Sequence, residues 1–329
     1  MKTLHRNRRA ALGALALLGG LVATASGSAT AQAWPSRDIS FIVPYAPGGT
    51  TDPVAREFAN QLEKELKVGI NVENRSGGSA TIGTGAVVRA KPDGYTIGLA
   101  SNSALAYQPL VSNGLAWKSP DDYQSVVKLV DVPAVIVVRA DAPWKTFEAF
   151  MADVRKAPGK VRVSVSGIRT APDLAIQQLN KVAGVKIATI PFTGGGGEAM
   201  IAVLGGRVEA TAGYAPTVQG HVRAGTARVL AVFKKGRYEP FPDAASIVDA
   251  GYDVTLPVTY GVIAPRGLPP EVRERLVAAS MRAAQRAEFQ KFTQDNGMLA
   301  DVRGPDAMQA EMVQYGKTFA ELIRFMDAK

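Results

Sequence analysis

The sequence predicts an α/β protein of two domains, each a mostly parallel sheet flanked by helices, and three observations lead there. Short apolar runs of strand length alternate with amphipathic helical runs over most of the chain. Glycine turns follow strands and open helices at three separate places. Between two β-rich runs stands Pro133, a break that marks a crossing from one domain to the other.

Taken in order, the chain starts with Lys2, Arg6, Arg8 and Arg9, then an apolar run over 11–25, then small residues ending Ala31-Gln32-Ala33. That is the order of a secretory signal peptide, with cleavage expected after Ala33. Residues 39–45 read as the first strand. The turn Pro47-Gly48-Gly49 follows, with Thr51 or Asp52 as N-cap and Pro53 in the first helical turn. Val54, Phe58, Leu62 and Leu66 recur every four residues, one face of a helix over 53–67. Strands are expected over 69–73 and 95–100, with a small-residue helix over 82–90 between them and Ser101-Asn102-Ser103 where a helix would begin. Residues 125–130 and 134–139 are β-rich. A helix over 146–156 leads to a strand over 161–166, then Gly167-Ile168-Arg169-Thr170-Ala171 and a helix with Pro172 in its first turn. The same device returns as strand 187–191, loop 192–197 and helix 198–204. Strands over 208–213 and 229–233, a short helix near 244–250 and a returning strand over 258–264 follow. The rest, 270–328, reads as helical with breaks at Asn296-Gly297 and Gly304-Pro305. This divides the chain into a leader (1–33), a first domain of 34–132 plus 258–329, and a second of 133–257.

Composition narrows the function classes. The chain of 329 residues carries a formal charge of +9, of which the leader holds four positive charges and no acid, leaving about +5. No cluster of Lys and Arg forms a nucleic-acid patch, and a mild positive surplus favours anionic small ligands. There is no cysteine, which excludes disulfides, thiol nucleophiles, thiolate metal sites and a lipidated cysteine after the leader. No later stretch is long and apolar enough to span a membrane. His221 is the one histidine beyond the leader and falls on a surface helix. Ser164-Val165-Ser166-Gly167 lacks the first glycine of a nucleophile elbow. Gly83-Thr84-Gly85-Ala86 and the run 194–197 both fail as nucleotide motifs, and no carboxylates or histidines have metal-ligand spacing. An enzyme is therefore disfavoured, and neither a cofactor nor a metal is expected.

Binding fits better. A strand end, a glycine turn and a helix start aim unpaired N–H groups and the positive helix end at one point, which suits a carboxylate without Lys or Arg. A plain strand-to-helix turn is the bland alternative for any one instance; three instances split between the two halves favour a site. The predicted ligand residues are Tyr45, Ala46, Pro47, Gly48, Gly49, Thr50, Thr51 and Asp52 in the first loop. Ser101 and Asn102 stand at a strand end. Ser166, Gly167, Arg169, Thr170 and Ala171 form the second loop, Phe192, Thr193 and Gly194 the third, and Tyr214 ends a later strand. Asp52 is read mainly as a helix cap, because a carboxylate beside an anion site repels the ligand. Tyr45, Phe192 and Tyr214 are either core aromatics or covers for the ligand's apolar body. Arg169 either pairs with a second carboxylate or points into solvent.

Several runs of the sequence resemble one family. They are Pro44-Tyr45-Ala46-Pro47-Gly48-Gly49-Thr50-Thr51-Asp52 with Ala55-Arg56, then Val72-Glu73-Asn74-Arg75, Gly77-Gly78, and Ala90-Lys91-Pro92-Asp93-Gly94-Tyr95-Thr96. Pro191-Phe192-Thr193-Gly194-Gly195 continuing to Leu204-Gly205-Gly206, and Tyr260-Gly261-Val262-Ile263-Ala264-Pro265, complete the set. Together they resemble the Bug-type receptors, the periplasmic solute-binding proteins of tripartite tricarboxylate transporters. The resemblance implies a type II-like periplasmic-binding-protein fold, its two domains joined by two crossover segments and closing on an organic anion. It further implies that one ligand carboxylate is held by the loops at 45–51 and 166–171 through backbone N–H groups, hydroxyls and water. Ile168-Arg169 and Pro172-Asp173 depart from the small polar residues and histidine of many relatives, which touches the ligand's identity. The expected protein is a soluble periplasmic monomer that captures a carboxylate, di- or tricarboxylates favoured, for the membrane subunits of such a transporter. A receptor read by a sensor kinase is the alternative.

Overall fold

In the computed structural model residues 34–192 and 194–328 are described; the leader and Thr193 lie outside them. Two six-stranded sheets form, each flanked by helices, and each sheet with its helices is called a lobe below. The first half of the first lobe is β1 (Ile39–Val43), α1 (Thr51–Leu66), β2 (Ile70–Asn74), α2 (Thr81–Val88) and β3 (Thr96–Ser101). A π-helical turn over Ser103–Tyr107 and the short α3 (Gln108–Val111) lead to β4 (Tyr123–Val132). The chain then crosses through Pro133 and Ala134.

The second lobe holds β5 (Val135–Arg139), α4 (Phe147–Lys156), β6 (Arg162–Val165), α5 (Ala171–Ala183), β7 (Ala188–Pro191) and α6 (Gly196–Leu204). Next come β8 (Ala210–Gly213), α7 (Ala215–Arg223), β9 (Ala227–Val232) and the two-residue β10 (Ala245–Ser246). The chain returns as β11 (Val258–Pro265), followed by α8 (Pro270–Gln285), α9 (Ala287–Asp295), β12 (Leu299–Arg303) and α10 (Pro305–Asp327).

The strand orders are β12-β4-β11-β3-β1-β2 and β10-β9-β5-β8-β6-β7. Both lobes thus follow one plan: second strand, first, third, the strand arriving from the other lobe, then the fourth. The first three strands of each lobe pair in parallel, with Phe41 opposite Val72 and Val163 opposite Thr189. The arriving strands β11 and β5 run antiparallel to both neighbours, so each sheet is mixed. Parallel strands joined by helices put the starts of α1, α2, α5 and α6 at one edge of the sheets, where ligands of such folds bind.

The elements rest on the expected burial. Val54, Phe58, Leu62 and Leu66, the four-residue repeat of α1, are all buried, and Phe58 packs between Phe41 and Phe289. One core gathers Ile42, Leu105, Trp117 and Met308; another gathers Val135, Met200, Val218 and Tyr238. Most predicted elements fall within about two residues of their observed ends.

Two expectations are corrected. The helix expected near 244–250 is β10 and a turn, because Ile247 donates its N–H to Val232 O and Ser246 donates its hydroxyl to Lys234 O, extending the edge of β9. The helical reading of 270–328 omits β12, which pairs antiparallel with β4 and is fixed there by the Asp301 carboxylate, 2.8 Å from the buried Lys128 ammonium. Among the described residues no helix is long and apolar enough to cross a membrane.

Candidate ligand-binding site

The first loop forms as β1 ends at Val43 and Pro44 turns the chain outward. Gly48 takes φ +91°, which only glycine adopts cheaply, and α1 opens at Thr51 with Thr50 as N-cap. The helix starts earlier than the sequence suggests, so Asp52 stands inside its first turn instead of capping it. Its carboxylate accepts from Asn74 Nδ2 at 2.7 Å and from Arg56 Nε at 2.8 Å. Asn74 Nδ2 also donates to Tyr45 O at 2.9 Å, so this cluster braces the loop from behind. The Thr51 hydroxyl is 2.8 Å from the Tyr260 hydroxyl of β11.

The second loop, between β6 and α5, has Gly167 at φ +137° and Arg169 at φ +56°. Thr170 donates its hydroxyl to Gly167 O at 2.9 Å, and Asp173 in the first turn of α5 accepts the Arg169 N–H at 2.7 Å. In the third loop Glu198, in the first turn of α6, folds back to accept the Gly194 N–H at 2.7 Å. A fourth loop was not anticipated as part of the wall. After β2, Gly77, Gly78, Ser79 and Ala80 all carry positive φ, and Ser79 donates its hydroxyl across to Ile168 O at 3.2 Å. Two consecutive non-glycine residues in the left-handed region store strain of about 1–3 kcal/mol each, a feature that clusters at ligand clamps.

Between these loops lies a cavity of about 450 Å³. Of the predicted residues, Tyr45, Ala46, Gly49, Thr50, Thr51, Ser166, Gly167, Thr170, Ala171, Gly194 and Tyr214 line it. Pro47, Gly48 and Asp52 shape the first loop without reaching the cavity wall. Ser101 and Ser103 hydrogen-bond the Tyr45 phenol from below. Asn102 is fully buried and braces the returning strand: its Oδ1 accepts the Thr259 N–H at 3.3 Å and its Nδ2 donates to Pro257 O at 3.0 Å. Phe192 packs on Ala202, Val203 and Val208, with the Arg207 guanidinium over its ring. Arg169 points away from the cavity, and its guanidinium meets the Met326 sulfur of α10. Arg169 is half-buried against α10, neither lining the cavity nor standing free in solvent. Thr193 lies outside the described residues.

Sequence reasoning missed Ile168, Pro172, Pro191, Gly195, Gly196, Ser103, Val258, Tyr260 and the loop over 76–80. Two signals were available. Tyr260 opens a run already noted as a motif, and Gly77-Gly78 follows a strand end just as the other loops do.

The wall is neutral: no Lys, Arg, His, Asp or Glu lines it. Its phenols are held in the protonated form. Burial pushes the Tyr260 hydroxyl well up, only partly offset by its bond to Thr51, and burial does the same to Tyr214, where Tyr260 and Tyr45 add to it. Burial also raises Tyr45 against the lowering effect of Ser101 and Ser103. Among the described residues no group of three His, Cys, Asp or Glu gathers to hold a metal. Such a cavity offers backbone donors, hydroxyls and apolar surface, and no nucleophile paired with a base.

Two mixed sheets of one strand plan, joined by two crossings and facing each other across a neutral cavity, define a periplasmic-binding-protein fold. A solved structure described as a periplasmic transporter superposes with a TM-score of 0.82 at 29% identity, covering 89% of this chain and 98% of that one. The periplasmic binding protein BugD gives 0.81 at 29% identity over 88% and 98%. In sequence, BugT of Bordetella pertussis is 30% identical over 319 residues, 96% of this chain and 98% of that protein. The family model described as "Tripartite tricarboxylate transporter family receptor" matches residues 54–318. The chain belongs to that family, the Bug-type solute-binding receptors.

Proposed function

We propose that this protein captures a small organic carboxylate between its lobes and passes it, chemically unchanged, to the membrane subunits of a tripartite tricarboxylate transporter. The observation that carries this reading is the neutral cavity at the start of α1, where the helix end and the hydroxyl of Thr51 meet a space walled by phenols and apolar side chains. Two solved structures of the same fold, each 24% identical, contain malate and adipate; these are properties of those proteins and agree with the carboxylate reading. The lobes are assigned to 34–132 plus 258–329 and to 133–257, and the leader is removed after Ala33 on export to the periplasm, where the protein acts as a monomer.

A thermal-shift panel of mono-, di- and tricarboxylates tests the binding. At a hundredfold excess over Kd a ligand adds about 2.7 kcal/mol, enough to raise Tm by about 4 °C in a chain of this size. Stabilisation by neutral or cationic compounds alone contradicts the proposal, as does conversion of a bound acid followed by NMR. Delivery is tested by uptake of labelled acid into spheroplasts lacking the receptor, which should depend on the added protein.

A further inference from the structure

Of the helix starts around the cavity, three have an acid in the first turn, Asp52 in α1, Asp173 in α5 and Glu198 in α6, while α2 and α7 have none. A helix start contributes roughly half a positive charge, so an unpaired carboxylate there outweighs it and turns the spot negative. Of the three, only Asp52 forms an ion pair among the described residues, with Arg56 at 2.8 Å. Asp173 is 3% exposed and receives only neutral donors, the Arg169 N–H and Gln177 Nε2. Glu198 receives the Gly194 N–H. Of the three, the α1 start alone is left net positive, and the starts of α5 and α6 oppose an anion. The acid-free starts of α2 and α7 spend their N–H groups within the chain, Thr81 and Ile82 on Gly78 O and Gly77 O and Thr217 on Tyr214 O.

A second observation concerns the phenols. Tyr45 is bonded by Ser101 and Ser103, and Tyr260 by Thr51. Tyr214 is 7% exposed, lines the cavity, and its hydroxyl has no hydrogen-bond partner. A buried hydroxyl without a partner is uncommon and costly, so a ligand acceptor completes it.

We propose that the cavity selects a monocarboxylate: its single carboxylate lies at the start of α1, and a neutral acceptor elsewhere on the molecule, such as an amide, keto or hydroxyl oxygen, meets the Tyr214 hydroxyl. The inference rests on the carboxylate reading above and narrows it. A second carboxylate has no cation on the wall to meet, the acids of the α5 and α6 starts to avoid, and only internally bonded N–H groups at Thr81, Ile82 and Thr217 of α2 and α7, so a dianion loses more in desolvation than it recovers.

The test is calorimetry on the purified protein with two matched series at neutral pH: hexanoate, adipic acid monoamide and adipate; and benzoate, 4-carbamoylbenzoate and terephthalate. In whichever series binds, the amide-acid should bind about tenfold more tightly than either the plain acid or the diacid, the worth of one good hydrogen bond. Tyr214→Phe should erase the gain of the amide-acid and leave the plain acid within about twofold. A diacid binding as tightly as its monoamide overturns the proposal and leaves the carboxylate reading intact. Equal weakening of plain acid and amide-acid by Tyr214→Phe overturns the role of its hydroxyl. Failure of every acid to bind counts against the carboxylate reading itself and removes this inference with it. The comparison of ligands on the unaltered protein does not depend on the variant folding.

Discussion

Gly48 and Gly49 stand side by side before α1 and answer to different constraints. A Cβ on either meets nothing within 4 Å, but only Gly48 has a left-handed φ and only Gly49 lines the cavity. Gly48→Ala should therefore cost about 1–2 kcal/mol of stability by urea unfolding, the price of a left-handed alanine, with a smaller effect on binding. Gly49→Val should fold with near-normal stability and lose ligand, because its side chain projects into the cradle. Normal affinity in a folded Gly49→Val would move the anion away from α1. The phenols give a pH prediction. Burial raises Tyr260, Tyr214 and Tyr45 above their unfolded values, so the native state holds these protons more tightly than the unfolded chain. The stability this gives is fully present below about pH 10, the unfolded tyrosine value, and is lost as pH rises beyond it. Melting temperature should hold through pH 9 and then fall, and Tyr214→Phe should make that fall shallower. A Tm unchanged to pH 11 would contradict the buried, protonated phenols.

At the level of elements, regular periodicity was easy to read and the direction of side chains was not. The Val54–Phe58–Leu62–Leu66 spacing identifies α1 because burial selects one face, and that face is indeed buried. The third glycine loop looked like another anion cradle from its residues, yet Glu198 occupies the very N–H group the cradle offers. An acid in the first helical turn after a glycine loop is a readable sign of such self-occupation, and Asp173 repeats it by taking the Arg169 N–H. Glu198→Gln should make the α6 start more welcoming to anions. Affinity for a diacid should rise severalfold, in line with the roughly 0.3–1 kcal/mol of a charge at a helix end, while a monoacid changes less. No gain for the diacid by calorimetry would sink the charge argument. The strand β12 was illegible for a different reason. Leu299–Arg303 is a partly exposed edge strand without apolar alternation, held by its ladder to β4 and by the Lys128–Asp301 ion pair, both contacts distant in sequence.

For the whole molecule, the alternation of strands and helices made the plan of two sheets flanked by helices visible in the sequence. Its bracing was not. Asn102, read as a ligand residue from its place at a strand end, ties β3 to the returning chain, and Thr259 continues the link by donating its hydroxyl to Asp131 of β4 at 2.6 Å. Both crossings are thereby stitched together below the cavity, while above it Ser79 meets Ile168 from the opposite lobe. A ligand held between them would touch both lobes at once, the contact that the proposed hand-over to a membrane partner requires. The central claim is that one carboxylate sits at the start of α1 within this enclosure. A crystal structure of the protein with the tightest-binding acid tests it most directly. The carboxylate oxygens should lie within hydrogen-bond distance of the N–H groups at Thr50 and Thr51 or of the Thr51 hydroxyl, with the ligand's neutral acceptor on Tyr214. A carboxylate seated instead against the 194–196 loop beside Glu198, or bound outside the cavity, would contradict the account.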